Sequence, residues 1–331
     1  MADDKLATPF SLAGKRVWVA GHTGMVGSAT VRRLGKENCE ILTAPHAVLD
    51  LRDQAGVAKW IEREHPDVII IAAATVGGIY ANSTRPADFI YDNLAIETNI
   101  IHAAFRNEVT KLLFLGSTCI YPRAAAQPMS EDALLTGPLE PTNEWYAVAK
   151  IAGIKLCQAY RRQHGCDFIS AQPNNLYGPG DNFDLEASHV IPALMTKAHQ
   201  AKIASASSFV IWGSGRPKRE FLHVDDCADA LVHLLNHFSG EVPLNIGTGE
   251  EVTIAELART IADVVGFTGE LAFDSSKPDG SPRKLLDDRR MKALGWRSSI
   301  PLKDGLAATY RWFLDHESDR RGRRPYASTS R

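Results

Sequence analysis

The stretch from Arg16 to Leu34, RVWVAGHTGMVGSATVRRL, decides the fold. Its first five residues form a short run of strand formers. Gly21, Gly24 and Gly27 follow at three-residue spacing, and from Met25 onward the residues favour a helix. A strand that passes through a glycine-rich turn straight into a helix presents backbone N–H groups at the helix N-terminus. That arrangement suits a dinucleotide pyrophosphate, because glycine lets the chain turn tightly, approach the phosphates and pack the helix against the strand. Gly21, Thr23, Gly24, Met25, Val26 and Gly27 are therefore candidate cofactor-binding residues. Three glycines alone specify little, and the βαβ context around them carries the weight.

Outward from the turn the same rhythm repeats. Helices are predicted over 25–36, 53–64, 88–107 and 145–164, and strands over 40–43, 67–72, 111–115 and 167–172. Alternating strands and helices make an α/β protein with a doubly wound parallel (Rossmann) sheet. After Pro173 the rhythm degrades. Residues 174–184 are dense in Gly, Pro and Asn, and a helix over 189–199 and a strand over 209–212 lead into Gly213-Ser214-Gly215. A helix over 223–238 follows, and Leu244 to Ile246 is a strand able to rejoin the main sheet. The expected organisation is a dinucleotide-binding domain over 14–173 with returning segments near 221–248. A smaller, partly discontinuous C-terminal substrate domain covers 174–316, with loose termini at 1–13 and 317–331. Arg320, Arg321, Arg323 and Arg324 belong to a polar tail read as solvated.

Composition narrows the function classes. The 331 residues carry 37 basic and 39 acidic side chains. That balance argues against a nucleic-acid partner, which normally demands a basic excess. Cys39, Cys119, Cys157, Cys166 and Cys227 are odd in number and show neither a disulfide framework nor metal-ligand spacing, so no metal is expected and a reducing, cytoplasmic setting is. No apolar run approaches the ~18 residues of a membrane span. Asp3 and Asp4 stand where a secretion signal would be positive.

Cofactor choice is read at the end of the second strand. An Asp or Glu there bonds the ribose hydroxyls of NAD, whereas a cation nearby accommodates the 2'-phosphate of NADP. The chain has Thr43-Ala44-Pro45-His46. Without the acid, NADP(H) is favoured, and Asp50 and Leu51 are placed for the adenine. Tyr146 and Lys150 lie four apart on one face of a predicted helix. A phenol titrates near 10, so a neighbouring ammonium is expected to lower it toward neutrality for proton transfer. Ser117, just beyond the strand over 111–115, stands at the sheet edge that faces ligands and is placed to hold a carbonyl against that phenol.

The glycine turn, Ser117 and the Tyr146/Lys150 pair resemble the extended short-chain dehydrogenase/reductase family. Longer strings are similar to its nucleotide-sugar epimerase/reductases: Val76 to Ile79, LLFLGSTCIYP from Leu112 to Pro122, PTNE from Pro141 to Glu144, AKIAGIKLC from Ala149 to Cys157, SHVIPAL from Ser188 to Leu194, REFLHVDD from Arg219 to Asp226 and KPDGSPRKLLD from Lys277 to Asp287. The resemblance implies a GDP-sugar substrate, NADPH, and conversion of GDP-4-keto-6-deoxy-D-mannose to GDP-L-fucose by 3,5-epimerisation and 4-reduction. The same residues would serve the related synthesis of GDP-L-colitose, and a non-catalytic nucleotide sensor is the alternative from another class.

The resemblance also assigns roles. Cys119 and His189 match the family's base and acid for inverting the third and fifth carbons, with the thiol lowered slightly by its site. Lys197, Arg219 and Lys284 match its diphosphate-binding cations. Asn174, Asn175, Leu176 and Trp212 match positions near base, sugar and cofactor, with Asp279 and Arg283 in support, and Lys150 and His189 also border the cofactor. Relatives carry Arg at the positions of Thr23 and His46. A homodimer built on the helices over 88–107 and 145–164 is implied, with Ala103, Ala104, Ala152 and Gly153 allowing close approach, although packing within one chain explains these small residues equally well.

Overall fold

The computed structural model describes residues 10–185, 188–277 and 279–316. The first half alternates strands and helices: β1 (Arg16–Ala20), α1 (Met25–Leu34), β2 (Glu40–Leu42), α2 (Gln54–Glu64), β3 (Val68–Ile71), α3 (Ile79–Thr84), α4 (Pro86–Arg106), β4 (Lys111–Leu115), α5 (Glu144–His164) and β5 (Asp167–Pro173). The second half continues with β6 (Asn175–Tyr177), α6 (Val190–Ile203), β7 (Ser208–Trp212), β8 (Lys218–Arg219), β9 (Phe221–His223), α7 (Val224–His237) and β10 (Leu244–Ile246). It ends with β11 (Val252–Thr253), α8 (Ile254–Val265), β12 (Glu270–Asp274), β13 (Arg283–Lys284), α9 (Arg289–Ala293) and α10 (Leu302–Asp315).

Six strands form one parallel sheet in the order β10-β5-β4-β3-β1-β2. β3 and β4 are buried at every position, as continuous apolar strands covered on both faces should be. Alternation sorts each strand between two cores. Trp18, Ala20, Ile69 and Ile71 face α2, α4 and α5, whereas Val17, Val19, Val68 and Ile70 face α1 and α7. The order reverses at β1, where the sheet edge opens a ligand crevice.

Three smaller sheets follow, β7 with β12, β8 with β11 and β13, and β6 with β9, and residues of β6, β7, β9, β11 and β12 pack with α6, α8 and α10 around a third core. Residues 10–13 are docked, which corrects the expectation of a loose extension there. Leu12 is buried against α7 and the Phe10 amide donates to Asn236 O at 2.8 Å. Residues 1–9 and the arginine-rich tail at 317–331 lie outside the described residues. α5 starts at Glu144, and α6 starts after His189 and runs four residues past the predicted end. Among the described residues no helix is long and apolar enough to cross a membrane.

Candidate active site

The phosphate-binding turn is built as its glycines require. Gly21 takes φ 88°, and a Cβ there would lie 2.6 Å from the Ala73 amide nitrogen. A Cβ on Gly27 would run into Gly21 O, so this position permits only glycine if α1 is to sit close to β1. Thr23 and Gly24 are exposed, and no side chain caps α1. The uncapped N–H groups fit a pyrophosphate, and α1 has no acid in its first turn to oppose one. Met25 and Val26 pack inward against Ala29, Val224 and Ala228.

Beyond β2, His46 is exposed with Nε2 3.7 Å from Asp50. Asp50 is held by Arg52 at 2.8 Å, which places its carboxyl below the ordinary range, and Arg52 also reaches Asp92 at 3.2 Å. Arg52 is a cation beside the predicted adenine site that the sequence reading passed over, and its signal was the Asp-Leu-Arg run at 50–52. Leu51 packs against the core on the α2 side, and its carbonyl accepts from Asn99 at 3.1 Å. Arg32 and Arg33 are paired with Asp225 and Asp229 of α7.

At the C-terminal edge of β4, Ser117 starts a short 3-10 turn, and its hydroxyl accepts from the Cys119 amide at 3.4 Å. Cys119 is only 7% exposed and Lys150 only 2%. Tyr146, in the first turn of α5, is half-buried, with its ring centroid 5.9 Å from Lys150 Nζ. The Tyr146 phenol feels Cys119 and Ser117, the Cys119 thiol feels Ser117, Lys284 and Lys150, and His189 feels Lys284. Ser117, Cys119, Tyr146, Lys150, His189 and Lys284 thus share one electrostatic neighbourhood.

Two expectations need correction. Burial dominates Tyr146 and pushes its phenol up, with Cys119 and Glu97 adding to the rise and Ser117 opposing it. The thiol of Cys119 is likewise raised by burial, although Ser117, Lys284 and Lys150 pull it down. The physical reason is the same for both. Removing an anion from water costs more than the Ser117 hydroxyl and, for the thiol, the nearby cations return. Burial and Lys284 both lower the His189 imidazole, although the residue as a whole is exposed.

On the substrate side, Trp212 is 63% exposed with Lys197 and Lys277 over its ring at 5.0 and 5.5 Å. Lys197 also donates to Val210 O at 3.1 Å. Burial lowers Arg219, and burial together with Arg219 lowers Lys284. The Asn174 side chain is committed to Glu220 and to the Asn175 amide, and Asn175 Nδ2 donates to Glu220 O at 2.8 Å. These amides brace β6 against β8 and β9, and Leu176 packs into the α1/α7 core. Asp279 holds the Gly213-Ser214-Gly215 turn through the Ser214 amide and hydroxyl at 2.6 and 2.8 Å, and Arg283 pairs with Glu251 at 2.7 Å. Gly153, Ala103 and Ala104 are buried between elements of the same chain, where α4 packs on α5.

Residues 17–247 match the NAD dependent epimerase/dehydratase family. The chain is 59% identical to a GDP-L-fucose synthase from Sinorhizobium fredii over 94% of its length and 99% of that protein, and 54% identical to one from Escherichia coli K12 over 94% and 100%. Its fold superposes on a GDP-L-fucose synthetase from Naegleria fowleri bound to NADP with a TM-score of 0.90, at 32% identity, covering 97% and 99% of the two chains. With the glycine turn, the parallel sheet and the Ser117/Tyr146/Lys150 edge in place, the chain belongs to the NAD dependent epimerase/dehydratase family and, within it, to the GDP-L-fucose synthase branch.

Proposed function

We propose that this protein converts GDP-4-keto-6-deoxy-D-mannose to GDP-L-fucose, inverting the third and fifth carbons and then reducing the ketone at the fourth. The shared neighbourhood of Ser117, Cys119, Tyr146, Lys150 and His189 at the sheet edge is the observation that carries this reading. The exposed N-terminus of α1 would hold the NADP(H) pyrophosphate, with Asp50, Leu51, Lys150 and the backbone of 174–176 lining the rest of its path. NADPH supplies hydride when bound.

The ketone acidifies the hydrogens on both neighbouring carbons. Inverting each centre takes one proton off one ring face and returns one to the other, so the enzyme needs a base and an acid that straddle the ring. Cys119 and His189 fill these roles. To act, Cys119 must be the thiolate and His189 must carry the proton. Ser117 and Lys284 favour the thiolate. Ser117 then holds the ketone oxygen while Tyr146 protonates it. Lys197, Arg219 and Lys284 supply charge for the diphosphate, and Trp212 a face for the base or sugar.

We also propose a homodimer through the outer faces of α4 and α5, where Tyr91, Trp145 and Val148 are exposed, and a cytoplasmic setting that suits five free cysteines.

The test follows NADPH oxidation and, in deuterated water, label entry at the third and fifth carbons. Tyr146→Phe lowers reduction by ~10²- to 10⁴-fold while label exchange persists, and Cys119→Ala removes exchange. Undiminished reduction by Tyr146→Phe, or turnover of the 3,6-dideoxy keto sugar alone, overturns the reading. The ratio of kcat/KM for NADPH to that for NADH measures how far Thr23 and His46 relax the grip on a 2'-phosphate.

A further inference from the structure

Lys150 is buried, with its amine beside the Phe114 ring at 4.6 Å and the Tyr146 ring at 5.9 Å. Behind it, on α4, lies Glu97. That carboxylate is 1% exposed, and neither of its oxygens has a hydrogen-bond partner among the described residues. An ionisable group so placed is rare unless it is paired or functional.

The space it occupies is made by Gly153, one turn along α5 from Lys150. A Cβ on Gly153 would stand 2.9 Å from Glu97 Oε2 and would enter the Phe114 ring. Glycine weakens an α-helix interior relative to alanine, and here it admits a carboxylate between α4 and α5.

We infer that Glu97 is a positioning residue for the reduction: its charge, set behind α5, keeps the Lys150 amine protonated and in place beside Tyr146. The inference rests on the reading of Lys150 and Tyr146 as partners in ketone reduction. Burial pushes Lys150 toward its neutral form, and Glu97 is the largest influence opposing this. Burial in turn raises the Glu97 carboxyl, while Lys150 and the nearby Gly153 backbone favour its ionised form. The titratable groups that face Glu97 are Lys150, Tyr146 and Cys157 on α5, and Cys119, beyond β4, faces Lys150.

The test is the pH profile of kcat for reduction, with melting temperature as a folding control. Glu97→Gln keeps the shape and removes the charge. Because the carboxylate raises Lys150, its loss lowers the pH at which the amine becomes neutral. The alkaline limb therefore moves down by about one unit or more, and Glu97→Asp restores part of the shift. Glu97 also acts on the phenol directly, so the decisive comparison is in a Lys150→Arg background, where the cation does not deprotonate. There only the direct effect on the phenol remains, so Glu97→Gln moves the limb by clearly less than it does beside Lys150. A limb unmoved by Glu97→Gln alone, or a shift of undiminished size in the Lys150→Arg background, overturns the inference. Unimpaired reduction by Lys150→Met removes the underlying reading of Lys150 instead.

Discussion

The two halves of the molecule are held together by different chemistry. The main sheet is a hydrophobic object: Val68 to Ile71 and Leu112 to Phe114 are fully buried, and their neighbours in space are apolar side chains from helices on either face. The lobe beyond Pro173 adds to its own apolar core a set of buried carboxylates and amides that collect backbone donors from several loops. Glu220, fully buried between β8 and β9, accepts from the amides of Thr248, Gly249 and Leu286 at 2.6, 2.7 and 3.0 Å and from the Asn174 side chain. Asp226 accepts from the amides of Ser299 and Ile300, and Asn245 ties Met129 and Asp287 to β10. A packed sheet tolerates small changes of shape. A polar knot fails when its centre is removed, because each buried donor left unsatisfied costs on the order of 1–3 kcal/mol.

Replacing the centre of the knot is therefore the most damaging change. Glu220→Ala strands three backbone amides and one side-chain amide, and a loss of about 3 kcal/mol or more is expected by urea unfolding even after water takes some of the bonds. Because Arg219 and Asn175 flank it, KM for the nucleotide sugar rises as well. If Glu220→Ala costs no more than a surface substitution, the contrast between the two halves does not hold.

The matching change in the sheet is Ile70→Val. It removes one methylene from a fully buried position, so a loss of roughly 0.5–1.5 kcal/mol is expected in the same unfolding experiment, with kcat unchanged. A loss larger than that of Glu220→Ala would invert the comparison.

The same difference explains what could be read from the sequence. Period-two burial and helical spacing are local properties, so β1, β4, α2 and α5 were found within a residue or two. β8, β11 and β13 are two residues each and exist because Lys218, Arg219, Val252, Thr253, Arg283 and Lys284 meet across the fold, which no window along the chain reveals. The helix α8 was legible in principle: Thr253 and Glu256 form a capping box and Gly266 closes it. In the site, Ser117, Tyr146 and Lys150 followed from spacing, while Cys119, His189 and Lys284 came from resemblance. Glu97 was missed although it left a trace. It falls on the buried stripe Asn93, Ile96, Ile100, Ile101 and Ala104 of α4, where a charge is out of place.

The smallest expected effect lies at the sheet edge opposite the active site, and it separates stability from catalysis. Asp167, at the start of β5, accepts from Lys111 at 2.9 Å, Arg161 at 2.8 Å and Ser239 at 2.6 Å. Burial alone would raise its carboxyl, but Ser239 and the two cations outweigh burial and hold it below the ordinary range. A carboxyl depressed in the folded state binds protons more weakly there than in the unfolded chain. Its contribution is complete above the ordinary carboxylate range and fades as the pH drops below that range. Asp167 is partly exposed, so the contribution is under about 1 kcal/mol. Asp167→Asn should lower stability slightly at neutral pH and flatten its decline in acid, with kcat and KM unaltered. A change in turnover would mean that this edge communicates with the Ser117 edge through β4 or β5, and that the sheet is less rigid than its buried strands imply.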